Sequence, residues 1–310
     1  MGLTLVTGAS GFVGTHLFQE MRKRGLPVRG VSRQKRPGLA TIPSYGPEVD
    51  WTAYLADVDA VVHLAARVHV MREMAKDPLA EFRAANVEAT LNLARQAARA
   101  GVRRFIFVST IKVNGESTEP GKPFTADDPP NPQDPYAISK AEAEAALKAL
   151  GAESGMEIVI IRPPLVYGPG VGGNFRSLIN WASNGVPSIF SGIDNKRSLI
   201  FVGNLCDLII TVLAHPKAAD QTFLVCDGPA VSTQELLSLL TAAVGKKCRS
   251  IKISSSVLHF ASVMTFQQSK VRRLLENLEI DDHATRQRLS WDPAYTTEAA
   301  ISATTSATVN

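Results

Sequence analysis

The stretch LTLVTGASGFVG, residues 3–14, decides the fold of this chain. Its first five residues are an apolar run of strand length, and glycines then follow at three-residue intervals, at Gly8, Gly11 and Gly14. From Phe12 onward apolar residues recur at helical spacing to residue 24, and Gly25 ends the run. Strand, glycine turn and helix therefore succeed one another directly. A pyrophosphate needs a turn of this kind, because it must sit against backbone N–H groups at a helix N-terminus, where any Cβ would obstruct it. Gly14 would let the helix pack tightly on the sheet.

Outward from this unit the alternation continues. Residues 28–32 and 60–65 read as strands. Residues 78–100 carry Ala84, Val87, Leu91, Ala94 and Ala98 at steps of three or four, which predicts one long amphipathic helix ended by Gly101. Residues 104–109 and 158–162 read as strands, and 135–150 as a helix. Repeated strand–helix units imply helices on both faces of a parallel sheet, so the predicted class is α/β, a doubly wound parallel (Rossmann) sheet. Beyond Pro163 the pattern loosens into Gly- and Pro-marked loops, which predicts a smaller C-terminal substrate lobe. The expected division is a dinucleotide-binding domain over 1–165, with a return of about 200–227, and a substrate lobe over 166–310. Residues 302–310 are largely Ser, Thr and Ala, which predicts a tail too poor in apolar groups to pack.

Composition sets the outer limits. A length of 310 residues allows two packed units, at roughly 100 to 200 residues each. With 45% apolar and 20% charged residues the chain is not of the disordered kind. The three cysteines, Cys206, Cys226 and Cys248, show no CxxC spacing and suit free thiols in a reducing compartment. The net charge of +4, from 33 basic and 29 acidic side chains without a basic block, predicts no nucleic-acid partner. No apolar run approaches the roughly 18 residues that span a bilayer, and the start lacks the basic region of a signal peptide. A cytoplasmic protein without a membrane partner is expected. The histidines, His16, His63, His69, His215, His259 and His283, form no HExxH or other close pairing, so no metal is expected. His63 lies in an apolar strand and reads as a hydrogen-bonded core residue. A GxSxG nucleophile elbow is absent.

TGASGFVG, residues 7–14, resembles the fingerprint of the extended short-chain dehydrogenase/reductases, the family of nucleotide-sugar epimerases, dehydratases and ketoreductases. Later motifs agree in order and spacing: DAVVHLAA at 59–66, NVEATLN at 86–92, Ser109-Thr110, YAISK at 136–140 and RPPLVYGP at 162–169. The resemblance thus covers nearly the whole chain. It implies a cofactor held by Gly8, Ser10, Gly11, Phe12, Val13, Arg33, Leu64, Ala65, Ala66, Asn86, Tyr136, Lys140 and Pro163. It also implies a homodimer formed through helices such as 78–100 and 135–150.

The end of the second strand speaks to the choice of dinucleotide. NAD sites usually place Asp or Glu there on the ribose, whereas Arg accommodates a 2′-phosphate. Here the residues are Ser32 and Arg33, with Lys35 and Arg36 close behind, and no carboxylate. NADP(H) is therefore favoured, with Arg33 as the phosphate partner and Ser32 as a second donor; NAD(H) stays open.

Tyr136 and Lys140 are four residues apart at the start of a helix, with Asp134 suited to cap it and Pro135 to fill its first turn. That spacing puts phenol and ammonium on one face. A free phenol titrates near ~10, and a neighbouring cation favours phenolate, so the pair predicts a Tyr drawn toward neutral pH. The resemblance implies that Thr110 hydrogen-bonds the reacting carbonyl, Tyr136 moves the proton, Lys140 tunes Tyr136 and holds the ribose, and Asn86 buttresses the site.

Dehydratases of the family carry Asp-Glu directly after this Thr, to move protons on C5 and C6; here Ile111 and Lys112 stand there, which disfavours dehydration. The stretches STIKVNGE at 109–116, PQDPYAISK at 132–140 and GGNF at 172–175 resemble a narrower bacterial group. That group includes 4-ketoreductases forming UDP-N-acetylquinovosamine from UDP-2-acetamido-2,6-dideoxy-4-hexulose for polysaccharide, and its members often carry the label UDP-glucose 4-epimerase. The expected partner is accordingly a UDP-sugar, with net reduction as the first expectation. A UDP-hexose 4-epimerase with tightly held NAD is the alternative, and a non-catalytic dinucleotide sensor a third. For the nucleotide sugar, Asn174 is expected to cap a helix from Phe175 aimed at the diphosphate, and Arg197 resembles the family's pyrophosphate-neutralising Arg. Arg273 and Asn277 lie where the family places further contacts.

Overall fold

In the computed structural model, which describes residues 1–68, 77–251 and 274–309, the glycine turn follows an inner strand of the sheet. From β1 (Leu3–Thr7) the chain enters α1 (Phe12–Lys23), then β2 (Val28–Ser32), β3 (Ala40–Thr41), the single turn α2 (Thr52–Leu55) and β4 (Val58–His63). After α3 (Pro78–Arg83), a π-helical turn (Ala84–Glu88) and α4 (Ala89–Arg99) come β5 (Arg104–Val108), α5 (Pro135–Ser154) and β6 (Glu157–Arg162). Then follow β7 (Leu165–Tyr167), α6 (Gly173–Asn184), β8 (Leu199–Phe201), α7 (Val202–Ala214), β9 (Thr222–Leu224) and α8 (Thr233–Ala243). Helices His283–Leu289 and Thr297–Val309 come last.

Seven strands pair in parallel in the order β3-β2-β1-β4-β5-β6-β9, and β7 pairs with β8 in a separate parallel ribbon. The central strands are apolar runs rather than alternating ones because both of their faces are covered. Within each strand successive side chains go to opposite layers. Val6, Val62, Ile106, Val159 and Ile161 meet α1 and α7 through residues such as Leu17, Met21, Leu205 and Ile209. Leu5, Val61, Phe105, Phe107, Ile158 and Ile160 meet α4 and α5 through Leu93, Ala97, Ala143 and Leu147. The doubly wound parallel sheet is the architecture the opening stretch predicts. Strand β9 extends it beyond β6, with Phe223 and Leu224 beside Ile161 and Arg162. No helix among the described residues is long and apolar enough to cross a membrane.

Two expectations need correction. The helix predicted over 78–100 is not continuous, because a π turn at Ala84–Glu88 separates α3 from α4. One residue inserted into the helical ladder rotates Asn86 inward, where it is 1% exposed. The tail also packs. Thr297–Val309 is a helix that places Ala300, Ile301, Thr304 and Thr305 in the interior against its surroundings, including α8. Small side chains permit a close approach, and the Thr304 and Thr305 hydroxyls donate to the carbonyls of Ala300 and Ile301 at 2.7 and 3.1 Å, so burying them leaves no polar group unpaired.

Candidate active site

The turn from β1 into α1 is built where a Cβ cannot go. Gly8 has φ +68°, and a Cβ on it would lie 2.7 Å from the Ala65 nitrogen; one on Gly14 would lie 2.1 Å from the Gly8 carbonyl oxygen. The Gly11 N–H donates to that same carbonyl at 2.9 Å, closing the turn below the helix end. Above it opens a cavity of about 610 Å³. Gly8, Ser10, Gly11, Arg33, Leu64, Ala65 and Ala66 line it together. A dinucleotide fits this donor set: glycine backbone at a helix N-terminus, apolar walls for a base, and a basic end. A smaller recess of about 460 Å³ adjoins Ser10, Ser32, Arg33 and Gln34. There the Ser32 hydroxyl donates to Ser10 Oγ at 3.1 Å and accepts the Gln34 N–H at 3.2 Å.

The other expected cofactor positions do not line the cavity. Phe12 and Val13 form the first turn of α1. Pro163 uses its carbonyl to accept the Ile111 N–H at 2.9 Å, which fixes the loop carrying Thr110. Asn86 commits its side-chain amide to protein: its oxygen accepts the Arg67 N–H at 2.8 Å, and its nitrogen donates to the Arg67 carbonyl and to Ser139 Oγ, each at 3.0 Å. Asn86 therefore clamps the end of the β4 loop to α5.

Sequence reasoning missed Ile42, Tyr45 and Pro47, which form part of the cavity wall. They lie between β3 and α2, where only Pro and Gly loop signals are legible. Tyr45 is tied down by His63, whose Nε2 bonds the Tyr45 hydroxyl at 2.9 Å and Thr90 Oγ1 at 3.0 Å, while its Nδ1 bonds Thr7 Oγ1 at 2.7 Å. Burial, assisted by the Lys140 charge, pushes the His63 imidazole down to about 3, so it is the neutral, hydrogen-bonded core residue expected of it.

Helix α5 is started as its sequence predicts: Asp134 accepts the Ala137 N–H at 2.7 Å and Pro135 occupies the first turn. Tyr136 lies half-buried at its head, with its ring edge on Phe82 at 6.1 Å. Lys140 is 1% exposed; its Nζ donates to the Val108 carbonyl at 2.8 Å and sits 3.7 Å from the Phe107 ring centroid. Lys140 and Thr110 thus converge on the C-terminal end of β5. Beside Thr110 the Ser109 hydroxyl is buried without a hydrogen-bond partner, a polar atom available to a bound group. Behind them Arg162 pairs with Glu144 at 2.6 Å and donates to Asn114 at 2.9 Å, all fully interior.

The expected electrostatics run the other way here. Burial pushes the Tyr136 phenol up to about 12, with Asp134 adding to the effect, and burial pushes the Lys140 ammonium down to about 7 against the opposing pull of Glu144. The ammonium donates to the Val108 carbonyl and faces the Phe107 ring, which replace only part of its water. The spacing puts both groups at the head of α5, and burial is the largest cause of both shifts.

The residues expected for the nucleotide sugar stand apart from the glycine cavity. Asn174 is the second residue of α6 and does not cap it; Gly172 holds the cap position, with no side-chain bond. Arg197 lines neither cavity; its Nη1 donates to the Glu276 carbonyl at 2.9 Å. Asn277 accepts the Lys196 N–H at 2.8 Å, and Arg273 lies outside the described residues.

The sequence profile of the family described as NAD dependent epimerase/dehydratase matches residues 4–226. A UDP-glucose 4-epimerase of Vibrio cholerae is 42% identical over 98% of this chain and 94% of its own. Among solved structures, UDP-N-acetylglucosamine 4-epimerase from Bacillus cereus matches with TM-score 0.81 at 20% identity over 97% of both chains. MoeE5 in complex with UDP-glucuronic acid and NAD matches with TM-score 0.80 at 24% identity over 99% of both. These two structural likenesses carry the fold.

Proposed function

The chain belongs to the NAD dependent epimerase/dehydratase family, and on that premise we propose that it is a nucleotide-sugar oxidoreductase that reduces the C4 ketone of a UDP-linked sugar with NADPH. The substrate class we assign is UDP-2-acetamido-2,6-dideoxy-4-hexulose, with UDP-N-acetylquinovosamine as product. One observation carries the direction of the reaction: β2 ends at Ser32 and Arg33 follows it, both lining the recess with Ser10 and Gln34, without a carboxylate among its lining residues. Two hydroxyls and a guanidinium suit a ribose 2′-phosphate, and an Asp there would repel it.

Gly8, Gly11 and the head of α1 would hold the pyrophosphate of the dinucleotide, whose nicotinamide would supply the hydride. The chain's own residues do the rest. Thr110 Oγ1 hydrogen-bonds the C4 oxygen and orients it. Tyr136 Oη donates the proton to that oxygen, and its raised pKa keeps the proton in place until negative charge develops on the substrate. Lys140 provides the positive charge that balances the phenolate left behind. Asn86, Asn114 and Arg162 hold these groups by bonds that do not involve substrate.

A second reading is a UDP-glucose 4-epimerase with retained NAD, favoured by the 42% identity to the Vibrio cholerae protein of that description. The two separate in one experiment. The purified protein is given NADPH with the keto sugar, and separately UDP-glucose without added cofactor. Stoichiometric loss of NADPH supports the reductase; interconversion of UDP-glucose and UDP-galactose alone overturns it.

A further inference from the structure

Lys112 stands two residues beyond Thr110, where sequence reasoning asked only whether it could act as a base. The structure turns it elsewhere. Thr110 caps a short 3-10 turn over Ile111–Val113, and from that turn the Lys112 ammonium reaches across to the carboxylate of Asp134. It also pairs with Glu116 at 2.6 Å. Lys112 and Asp134 are each 19% exposed, so the contact is shielded from most of the water that weakens surface ion pairs. Asp134 is also the residue whose other oxygen caps α5, two positions before Tyr136.

We infer that Lys112 is a positioning residue: by binding Asp134 it ties the Thr110 loop to the head of the tyrosine helix and offsets the carboxylate that caps that helix. This deepens the reading of Tyr136 as the proton donor and rests on it.

The physical argument has two parts. Thr110 and Tyr136 must hold one oxygen between them, and an error of about 1 Å in such a pair costs on the order of a hundredfold in rate. A carboxylate close to a phenol disfavours phenolate, and a cation on that carboxylate reduces the effect. Asp134 does push the Tyr136 phenol upward, so Lys112 is placed to limit that push. Other charged groups near the pair are Glu116 on the same loop and Lys140 and Glu144 along α5. His63 on β4 lies within reach of the Lys140 charge. From the segments packed on α5 come Arg67 with Glu81, and Arg83 with Glu142. None of these is altered in the test.

The test compares wild type with Lys112→Gln, Lys112→Arg, Asp134→Asn and the Gln/Asn double variant, with Tyr136→Phe as the control for the reading itself. Asn caps helices as well as Asp, so Asp134→Asn removes charge and keeps the cap. Each protein is assayed over pH with NADPH and the UDP-4-keto sugar, and in parallel with UDP-glucose. The tyrosinate ultraviolet signal, taken against Tyr136→Phe, and urea unfolding are recorded on the same samples.

Lys112→Gln should lower kcat about tenfold with little change in the KM for NADPH, and should move the alkaline limb and the tyrosinate titration upward by roughly half a pH unit or more. Lys112→Arg should restore kcat. Asp134→Asn should move the limb downward, and in the double variant the upward shift should vanish, with non-additive unfolding energies marking the pair. If Lys112→Gln keeps wild-type kcat and limb while Tyr136→Phe is inactive, the inference falls and the reading of Tyr136 stands. Full activity of Tyr136→Phe overturns the reading instead. If Lys112→Gln does not fold, Asp134→Asn decides alone: a downward limb supports the inference and an unmoved one overturns it.

Discussion

The ammonium of Lys140 lies 3.7 Å from the centroid of the Phe107 ring, 1% exposed, and donates to the Val108 carbonyl at 2.8 Å. A ring face and one carbonyl replace only part of the water that an ammonium holds, which is why burial brings this group down to about 7. The unfolded chain binds that proton up to about pH 10.4, so between roughly pH 7 and 10 the unfolded state holds more protons than the folded one, and stability rises with pH across that window. Lys140→Met removes the cost. It should raise Tm by roughly 2 to 5 °C near pH 6, with the gain shrinking toward pH 10. Thermal unfolding across pH checks this; a gain that does not depend on pH contradicts the burial of a charge.

Gly14→Ala should abolish dinucleotide binding. The added methyl would lie 2.1 Å from the Gly8 carbonyl oxygen, so helix and turn must separate and the N–H groups facing the cavity lose their alignment. Loss of at least about a hundredfold in affinity for NADPH, measured by calorimetry or nicotinamide fluorescence, is expected. Binding within a few fold of wild type contradicts the placement of the pyrophosphate.

Arg33→Asp should reverse the choice of cofactor. A carboxylate at the end of β2 repels a 2′-phosphate and accepts hydrogen bonds from a free ribose. The ratio of kcat/KM for NADPH over NADH should fall by about a hundredfold. An unchanged ratio would mean that the recess at Ser10, Ser32 and Gln34 does not receive that phosphate.

The final helix supplies a fourth prediction. Thr304 has no exposed surface, and its hydroxyl donates to Ala300 at 2.7 Å. Thr304→Asp puts an unpaired carboxylate into the interior and should cost about 3 kcal/mol or more in urea unfolding. A loose tail would show no change.

The strand, glycine turn and helix at residues 3–14 were legible because sterics leave one residue type able to occupy Gly8 and Gly14. The inner strands were legible because burial on both faces makes them continuous apolar runs. Tertiary context decided the rest. Nothing in AANVE announces a π turn, since its apolar spacing suits an ordinary helix, and the turn is held by the bonds Asn86 makes to Arg67 and Ser139. The tail misled because Thr counts as polar, although its hydroxyl can return to its own helix. The spacing of Tyr136 and Lys140 puts both on one helix, but spacing carries no information about burial, the largest cause of both groups' shifts. Tyr45 and the Lys112–Asp134 pair had no motif to reveal them, being contacts between residues far apart in the chain.

The most direct test of the central claim is turnover by Tyr136→Phe. NADPH and UDP-2-acetamido-2,6-dideoxy-4-hexulose are mixed with wild type and with this variant, and the nicotinamide absorbance is followed. Stoichiometric oxidation by wild type, with a rate at least about a hundredfold lower in the variant at unchanged NADPH affinity, is the predicted result. Equal rates would contradict the claim that this phenol delivers the proton.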